Sequence, residues 1–191
     1  MKGDWQGPIV QVACGNSHTI ALTEAGDVYS WGHGKQGALG HGGDNDEPTP
    51  KKIAGLKDII KVDCGSEYTM ALDKRGKLFA FGQNGYGQLG VVGKTTKVTE
   101  PKQIVLSAAN GRVVDFSCGE EHAALLDEHG HVHTWGFGND GQLGHGNRDS
   151  LNTPKKVNFE SIVKKVGCGG GHTGFLTKEG ELYLMGRGRD G

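Results

Sequence analysis

Val12-Ala13-Cys14-Gly15, His18-Thr19, Ala21-Leu22, Gly26, Val28, Trp31-Gly32, Gly34, Gly37 and Leu39-Gly40 form a pattern that returns three more times along the chain. The second copy carries Val62, Cys64-Gly65, Tyr68-Thr69, Ala71-Leu72, Gly76, Leu78, Phe81-Gly82, Gly87 and Leu89-Gly90. The third carries Phe116, Cys118-Gly119, His122, Leu126, Gly130, Val132, Trp135-Gly136, Gly138, Gly141 and Leu143-Gly144. The fourth carries Val166, Cys168-Gly169, His172-Thr173, Leu176, Gly180, Leu182, Met185-Gly186, Gly188 and Gly191. The four cysteines are spaced by 50, 54 and 50 residues, and every copy places its last G-x-x-G glycine 23 residues after its cysteine. Length varies only between these blocks: Pro50 to Cys64 spans 14 residues and Pro101 to Cys118 spans 17. An invariant block with variable joints is one structural unit repeated, with loops at the joints.

Each unit reads as four short strands. In the first unit they are Ile9 to Cys14, His18 to Thr23, Val28 to Trp31, and a fourth that begins after Pro50 at Lys51-Lys52-Ile53. Glycines punctuate them, and the 35 glycines among 191 residues far exceed the usual share of roughly 7%. No segment sustains a helical period, so an all-β fold with no helix longer than about two turns is expected. Four strands per unit at a period near 50 residues is the pattern of propeller blades. The units run over residues 9–53, 59–104, 113–157 and 163–191, in one repeat-array domain spanning 1–191. Met1 to Gly3 fall opposite Lys51 to Ile53, and Gly191 falls opposite Gly37, so three full units and three strands of a fourth are expected.

The string C-G-x-x-H-T-x-A-L-x-x-x-G-x-V-x-x-W-G-x-G-x-x-G-x-L-G, from Cys14 to Gly40, resembles the regulator of chromosome condensation repeat, and the resemblance covers about residues 9 to 191. It implies four-stranded antiparallel blades in a seven-bladed ring, of which this chain would be about half, a partial β-propeller. It also implies protein partners. The founding member of the family exchanges guanine nucleotide on a Ran-type small GTPase, and other members serve as domains of ubiquitin ligases and scaffold proteins.

Net charge is −1 and no basic cluster dominates, which argues against nucleic acid as the partner. No run of 18 apolar residues is present, so no membrane-spanning helix is expected. The first residues lack an apolar stretch and do not read as a signal peptide. No two cysteines have metal-ligand spacing, so reduced thiols packed as small hydrophobes are expected, which points to a reducing compartment, cytoplasm or nucleus.

Gly32-x-Gly34-x-x-Gly37 matches the dinucleotide fingerprint, as do Gly136-x-Gly138-x-x-Gly141 and Gly186-x-Gly188-x-x-Gly191. The fingerprint needs a helix to hold the pyrophosphate. Ala38-Leu39-Gly40-His41-Gly42-Gly43 does not start one, so the match marks a turn and no cofactor is expected. His18, Tyr68, His122 and His172 share one repeat position, which suits a packed, hydrogen-bonded polar ring better than a metal ligand. His129-Gly130-His131-x-His133 reads as an exposed polar strand, although His131 and His133 share a face on which one metal ion fits. No metal site is assigned. Trp31, Phe81, Trp135 and Met185 hold one position and are expected in the core, as are the four cysteines. Lys51-Lys52, Lys155-Lys156 and Lys164-Lys165 are expected on solvated outer edges, where lysine blocks unwanted strand pairing.

Nothing in the sequence assembles a catalytic constellation, and no enzyme activity of its own is expected beyond that of an exchange factor on a GTPase. Strands alternate direction, so the turn after each Cys-Gly and the long loop after each third strand emerge at the same end of a blade. That end carries Asp44, Asp46, Glu47, Glu67, Lys94, Lys97, Glu120, Glu121, Arg148 and Asp149. These residues differ from copy to copy on a constant frame, which is where a partner is read. A protein-interaction module is therefore the leading expectation and a Ran-type exchange factor the alternative. The partner is a protein, a small GTPase among the candidates, and the blade flanks are expected to pair with a second copy or with more of a longer chain.

Overall fold

Four antiparallel sheets, one per sequence repeat, make up the computed structural model, which describes residues 5–106 and 111–188. Blade A contains β1 (Ile9–Cys14), β2 (His18–Thr23), β3 (Val28–Gly32) and β4 (Glu47–Lys52). Blade B contains β5 (Ile59–Cys64), β6 (Tyr68–Asp73), β7 (Leu78–Gln83) and β8 (Lys97–Gln103). Blade C contains β9 (Val113–Cys118), β10 (His122–Asp127), β11 (Val132–Gly136) and β12 (Leu151–Lys156). Blade D contains β13 (Val163–Cys168), β14 (His172–Thr177) and β15 (Leu182–Gly186). Strands pair in chain order within each blade. The only helical piece among the described residues is a 3-10 turn at Lys35–Gly37. It is followed by a loop, so the G-x-G-x-x-G run is a turn and not a helix start. Met1 to Gly3 and Gly191, read in the sequence against the fourth strand and Gly37, lie outside the described residues.

One irregularity recurs in all four blades. The first strand shifts register against the second, between Ile9 and Gln11, Ile59 and Lys61, Asp127 and Leu126, and Val163 and Lys165. A bulge at one fixed place is a built feature that bends the first strand of each blade. At the other side, the fourth strands hold Pro48 and Pro50, Pro101, and Pro154. The sequence reading began the fourth strand after Pro50, yet β4 starts at Glu47. Proline is tolerated because an edge strand needs no outward N–H in a ladder, and the pairing skips from Ser30↔Lys51 to Gly32↔Glu47. Glu47 and Lys97 are thus the first residues of β4 and β8, not loop residues. Lys51, Lys52, Lys155 and Lys156 are exposed on β4 and β12. Lys164 and Lys165 lie instead on β13, at the opposite edge of its sheet.

The glycine ending each third strand has positive φ, +107° at Gly32, +112° at Gly82, +97° at Gly136 and +123° at Gly186. A Cβ there would lie 2.4 to 2.6 Å from a carbonyl oxygen of the turn between the first two strands. Only glycine meets both demands.

The chain divides into two units, Met1–Gly85 with Lys94–Ile104, and Tyr86–Gly93 with Val105–Gly191. In the first unit, Ile20, Leu22 and Val28 of blade A share one buried cluster with Ile59, Val62, Cys64, Ala71 and Phe81 of blade B. In the second, Ala124, Leu126 and Val132 of blade C share one with Val163, Val166 and Phe175 of blade D. In blades B, C and D the side chain at the Trp31 position seats on the closing glycine of the preceding repeat. Phe81 lies against Gly40, Trp135 against Gly90, and Met185 against Gly144. Phe81 and Trp135 are fully buried. Trp31 and Met185 are only half-buried, contrary to the expectation of four core residues. Trp31 rests on Trp5, with ring centroids 6.4 Å apart, and Met185 sits on the last, three-stranded sheet. The cysteines, all free thiols, divide the same way: Cys64 and Cys118 are buried, Cys168 is half-buried and Cys14 is exposed. Burial pushes the Cys64 thiol far up.

Candidate functional site

The turn after each cysteine is closed by one repeated backbone bond, from Gly15 to His18, Gly65 to Tyr68, Gly119 to His122 and Gly169 to His172, at 2.7 to 3.0 Å. The ring at the fourth position folds back over the glycine, so that a Cβ on Gly15 would meet the His18 ring at 2.2 Å and one on Gly65 the Tyr68 ring at 1.8 Å. A second repeated bond ties the loop after the third strand to that turn. His33 N–H donates to Ser17, Gln83 to Glu67, Phe137 to Glu121 and Arg187 to Gly171, at 2.8 to 2.9 Å. Turn and loop therefore share one end of every blade, as strand alternation requires.

In the first unit this end holds Asp44, Asp46, Glu47, Glu67, Lys94 and Lys97. Several of them fasten the blade to itself. Asp46 accepts the Gly34 N–H at 2.8 Å, Asp44 pairs with Lys97, and Glu47 pairs with Lys51. Lys94 makes no ion pair among the described residues and is exposed, and Glu67 is half-buried in the turn. In the second unit the end holds Glu120, Glu121, Arg148 and Asp149. Burial and the neighbouring Glu120 push the Glu121 carboxyl up. Asn147 donates to Asp149 at 2.6 Å, and Ser150 takes the role of Asp46 by accepting the Gly138 N–H at 3.1 Å. Asp140 joins this end through a salt bridge to Arg187 at 2.8 Å, which sequence reasoning did not single out. Arg148 is exposed and makes no ion pair among the described residues.

The histidines resolve into three arrangements. His18 Nε2 lies 3.0 Å from Thr69 Oγ1, and His122 Nε2 lies 2.9 Å from Thr173 Oγ1. Each threonine hydroxyl spends its proton on a carbonyl, of Ala38 or Gln142, so each imidazole must donate from Nε2. Burial lowers both to about 4. These are the packed polar rings that the repeat position suggested, but His172 at the same position is exposed. Second, Ser30 donates to Leu39 O at 2.7 Å and meets His41 Nε2 at 2.9 Å; Thr134, Leu143 and His145 repeat this at 2.6 and 3.0 Å. Because the hydroxyl proton is committed to a carbonyl, the histidine is the donor and the serine is not an activated nucleophile. The sequence carried a signal for this pair: the second copy replaces Ser30 and His41 jointly with Ala80 and Val91. Third, Asp127 Oδ2 meets His131 Nδ1 at 3.2 Å and His133 Nε2 at 3.1 Å, while its Oδ1 accepts the His129 and His131 N–H groups. His131 and His133 do converge, but His133 is buried, not exposed as expected, and the group they meet is a carboxylate. Among the described residues no group of three or more His, Cys, Asp or Glu is arranged to hold a metal ion.

The sequence matches the RCC1-like domain family over residues 2–191. The chain belongs to the RCC1-like domain family. Human WBSCR16 superposes on this RCC1-like domain with a TM-score of 0.87 at 34% identity, over 97% of this chain and 49% of that one. Yeast RCC1, Prp20, superposes with a TM-score of 0.81 at 28% identity, over 95% and 46%. Among curated relatives, the mouse probable E3 ubiquitin-protein ligase HERC4 is 37% identical over 96% of this chain but only 18% of its own length. The Arabidopsis thaliana ultraviolet-B receptor UVR8 is 38% identical over 93% of this chain and 41% of its own. The chain thus spans less than half the length of these relatives, and its blades are those of a partial β-propeller. Among the described residues no helix is long and apolar enough to cross a membrane.

Proposed function

We propose that this RCC1-like domain is a protein-interaction module that reads its partner with the loop end of its blades. One observation carries the reading. The same two backbone bonds fix the turn and the loop in every blade, while the side chains they present change from acidic to basic to glycine between copies. A constant frame with variable tips is a recognition surface. Lys94 and Glu67 at the loop end of the first unit, or Glu121 and Arg148 at that of the second, are the residues proposed to touch a partner, because Asp46 and the Asp44–Lys97 and Glu47–Lys51 pairs are already engaged within the first unit. The blade flanks are proposed to take a further blade, of a longer chain or of a second copy, and a reducing compartment, cytoplasm or nucleus, is proposed for the protein.

The test is capture of binding proteins with the purified chain, followed by lysine cross-linking of each complex. Cross-links are expected at Lys94 and Lys97, at the loop end. Cross-links concentrated on Lys74 and Lys77, in the turn at the opposite end of the same blade, would overturn the reading.

A second reading is exchange activity on a Ran-type GTPase, favoured by the likeness to yeast RCC1; a related yeast structure is described with its binding to Gsp1p and histones. Such exchange is release of nucleotide forced by a protein surface and needs no side-chain chemistry. An exchange factor accelerates GDP release from the GTPase at substoichiometric amounts, whereas a binding module leaves that rate unchanged.

A further inference from the structure

At the loop end of the second unit, two repeat positions meet across successive copies. Tyr86 lies 22 residues after Cys64 and Phe137 lies 19 after Cys118; Asp140 and Arg187 stand at the same offsets from Cys118 and Cys168. Tyr86 and Phe137 pack edge to face, with ring centroids 4.9 Å apart. Arg187 donates from Nε and Nη2 to Asp140 Oδ2, at 3.2 and 2.8 Å. The backbone of every member is held. Tyr86 N–H donates to Gln88 Oε1 and Asp140 N–H to Gln142 Oε1, both at 3.0 Å, and both glutamines are buried. Phe137 and Arg187 are tied by their own N–H groups to the carbonyls of Glu121 and Gly171.

The acid–base pair is complete in itself, whereas the aromatic pair is not. Tyr86 is 41% exposed, and its hydroxyl makes no hydrogen bond among the described residues. Phe137 is half-buried against it. Across the hairpin from Phe137 stands Glu121, half-buried, whose carboxyl makes no hydrogen bond or ion pair among the described residues. Burial and the like charge of Glu120 act against its ionised form. An aromatic ring already fixed on its backbone loses little entropy on binding, and an uncompensated carboxyl beside it gains from a cation. Arginine makes both contacts, since its flat guanidinium stacks on a ring face while its N–H groups fork a carboxylate. A lysine ammonium is a point charge without that fork, and an aliphatic side chain brings no charge at all. The chain meets the same need itself one copy later, where Arg187 takes the place of Phe137 and neutralises Asp140.

We infer that Tyr86, Phe137 and Glu121 form a docking site for an arginine side chain of a partner protein, its guanidinium stacked on the exposed tyrosine ring and forked to the Glu121 carboxylate. The inference rests on the proposed reading of the loop end and deepens it, by giving the second unit the anchor and the partner the residue that fills it. Tyrosine and arginine are the side chains on which interface energy concentrates. The stack uses the ring and not the hydroxyl, so phenylalanine replaces Tyr86 without loss.

The test titrates the full 191-residue chain, isotope-labelled for amide NMR, with three blocked tripeptides: acetyl-Gly-Arg-Gly-amide and its lysine and leucine counterparts. At millimolar concentration the arginine peptide is expected to give saturable shifts centred on Tyr86, Phe137 and Glu121, and to bind at least about threefold more tightly than the lysine peptide. Tyr86→Phe should stay within about twofold of wild type, while Tyr86→Ala and Glu121→Gln each weaken binding at least about threefold. Tyr86→Leu serves in place of Tyr86→Ala should the latter lose its melting transition. Glu179→Gln, in the turn at the opposite end of blade D, should change nothing. No saturable shift, equal binding of the three peptides, or indifference to both Tyr86→Ala and Glu121→Gln would each overturn the inference. The same variants are then measured against a captured partner, where Tyr86→Ala should cost at least about tenfold. A partner that cross-links at the loop end yet binds both variants as tightly as wild type would overturn the arginine site and leave the loop-end reading standing.

Discussion

At the scale of single residues, the buried histidines make a pH prediction. His18 and His122 are neutral in the fold and lowered from 6.5 to about 4 by burial. Between those values the unfolded chain takes up protons that the folded chain refuses, so stability falls as pH drops from 6.5 toward 4 and levels off below. Each histidine should account for about 3 kcal/mol of that loss. Denaturant melts at pH 7, 5.5 and 4 should show the decline, and His122→Tyr, which borrows the residue of the second copy, should reduce it by about half, leaving the share of His18. Asp127 is held below its usual value of 3.8 by its N–H and imidazole donors, against the pull of burial, so its contribution is lost only at still lower pH. Core size gives a second prediction. Trp135→Ala should cost about 3–5 kcal/mol as a fully buried large-to-small change, and Trp31→Ala distinctly less. Equal costs in thermal melts would mean that Trp31 is as enclosed as Trp135. The role of the histidine position was legible because Tyr68 fills it in one copy. The Asp127 network was not, since three groups from a turn and a strand converge on one carboxylate only after the hairpin has formed.

At the scale of the element, the glycine closing each third strand holds the loop end in place. Gly82→Ala combines φ of +112° with a Cβ 2.5 Å from Glu67 O, and should cost more than about 2 kcal/mol. Gly85→Ala, with nothing within 4 Å of its Cβ, should change stability by less than about 0.5 kcal/mol. Matched melts of the two variants check this, and a comparable cost for both would remove the steric argument. The same comparison shows what periodicity reveals and what it hides. Glycines at fixed offsets located the turns and the first three strands of every blade. The fourth strand was misplaced because Pro48 and Pro50 read as a loop, whereas an edge strand with broken pairing accommodates both.

At the scale of the molecule, one way of packing a blade on the next, A with B and C with D, accounts for both buried clusters. Blade count and strand order were legible because each copy repeats a fixed block. Burial within that block was not, because enclosure is a property of neighbouring blades. Cys14 and Cys64 occupy the same position, yet only Cys64 is covered by another blade. The same reasoning limits which loop residues are available to a partner: a charge spent on its own blade, such as Asp46, supports the surface and does not read. The most direct measurement is therefore the dissociation constant of a captured partner for three forms of the chain. The first is wild type. The second carries Glu67→Lys, Lys94→Glu, Glu121→Lys and Arg148→Glu at the loop end. The third carries Arg75→Glu, Lys77→Glu and Glu179→Lys at the opposite end. The loop-end form should bind at least about tenfold more weakly, roughly 1.4 kcal/mol or more, with an unchanged melting temperature, and the third form should bind within about twofold of wild type. Full affinity in the loop-end form, with loss in the third, would contradict the account.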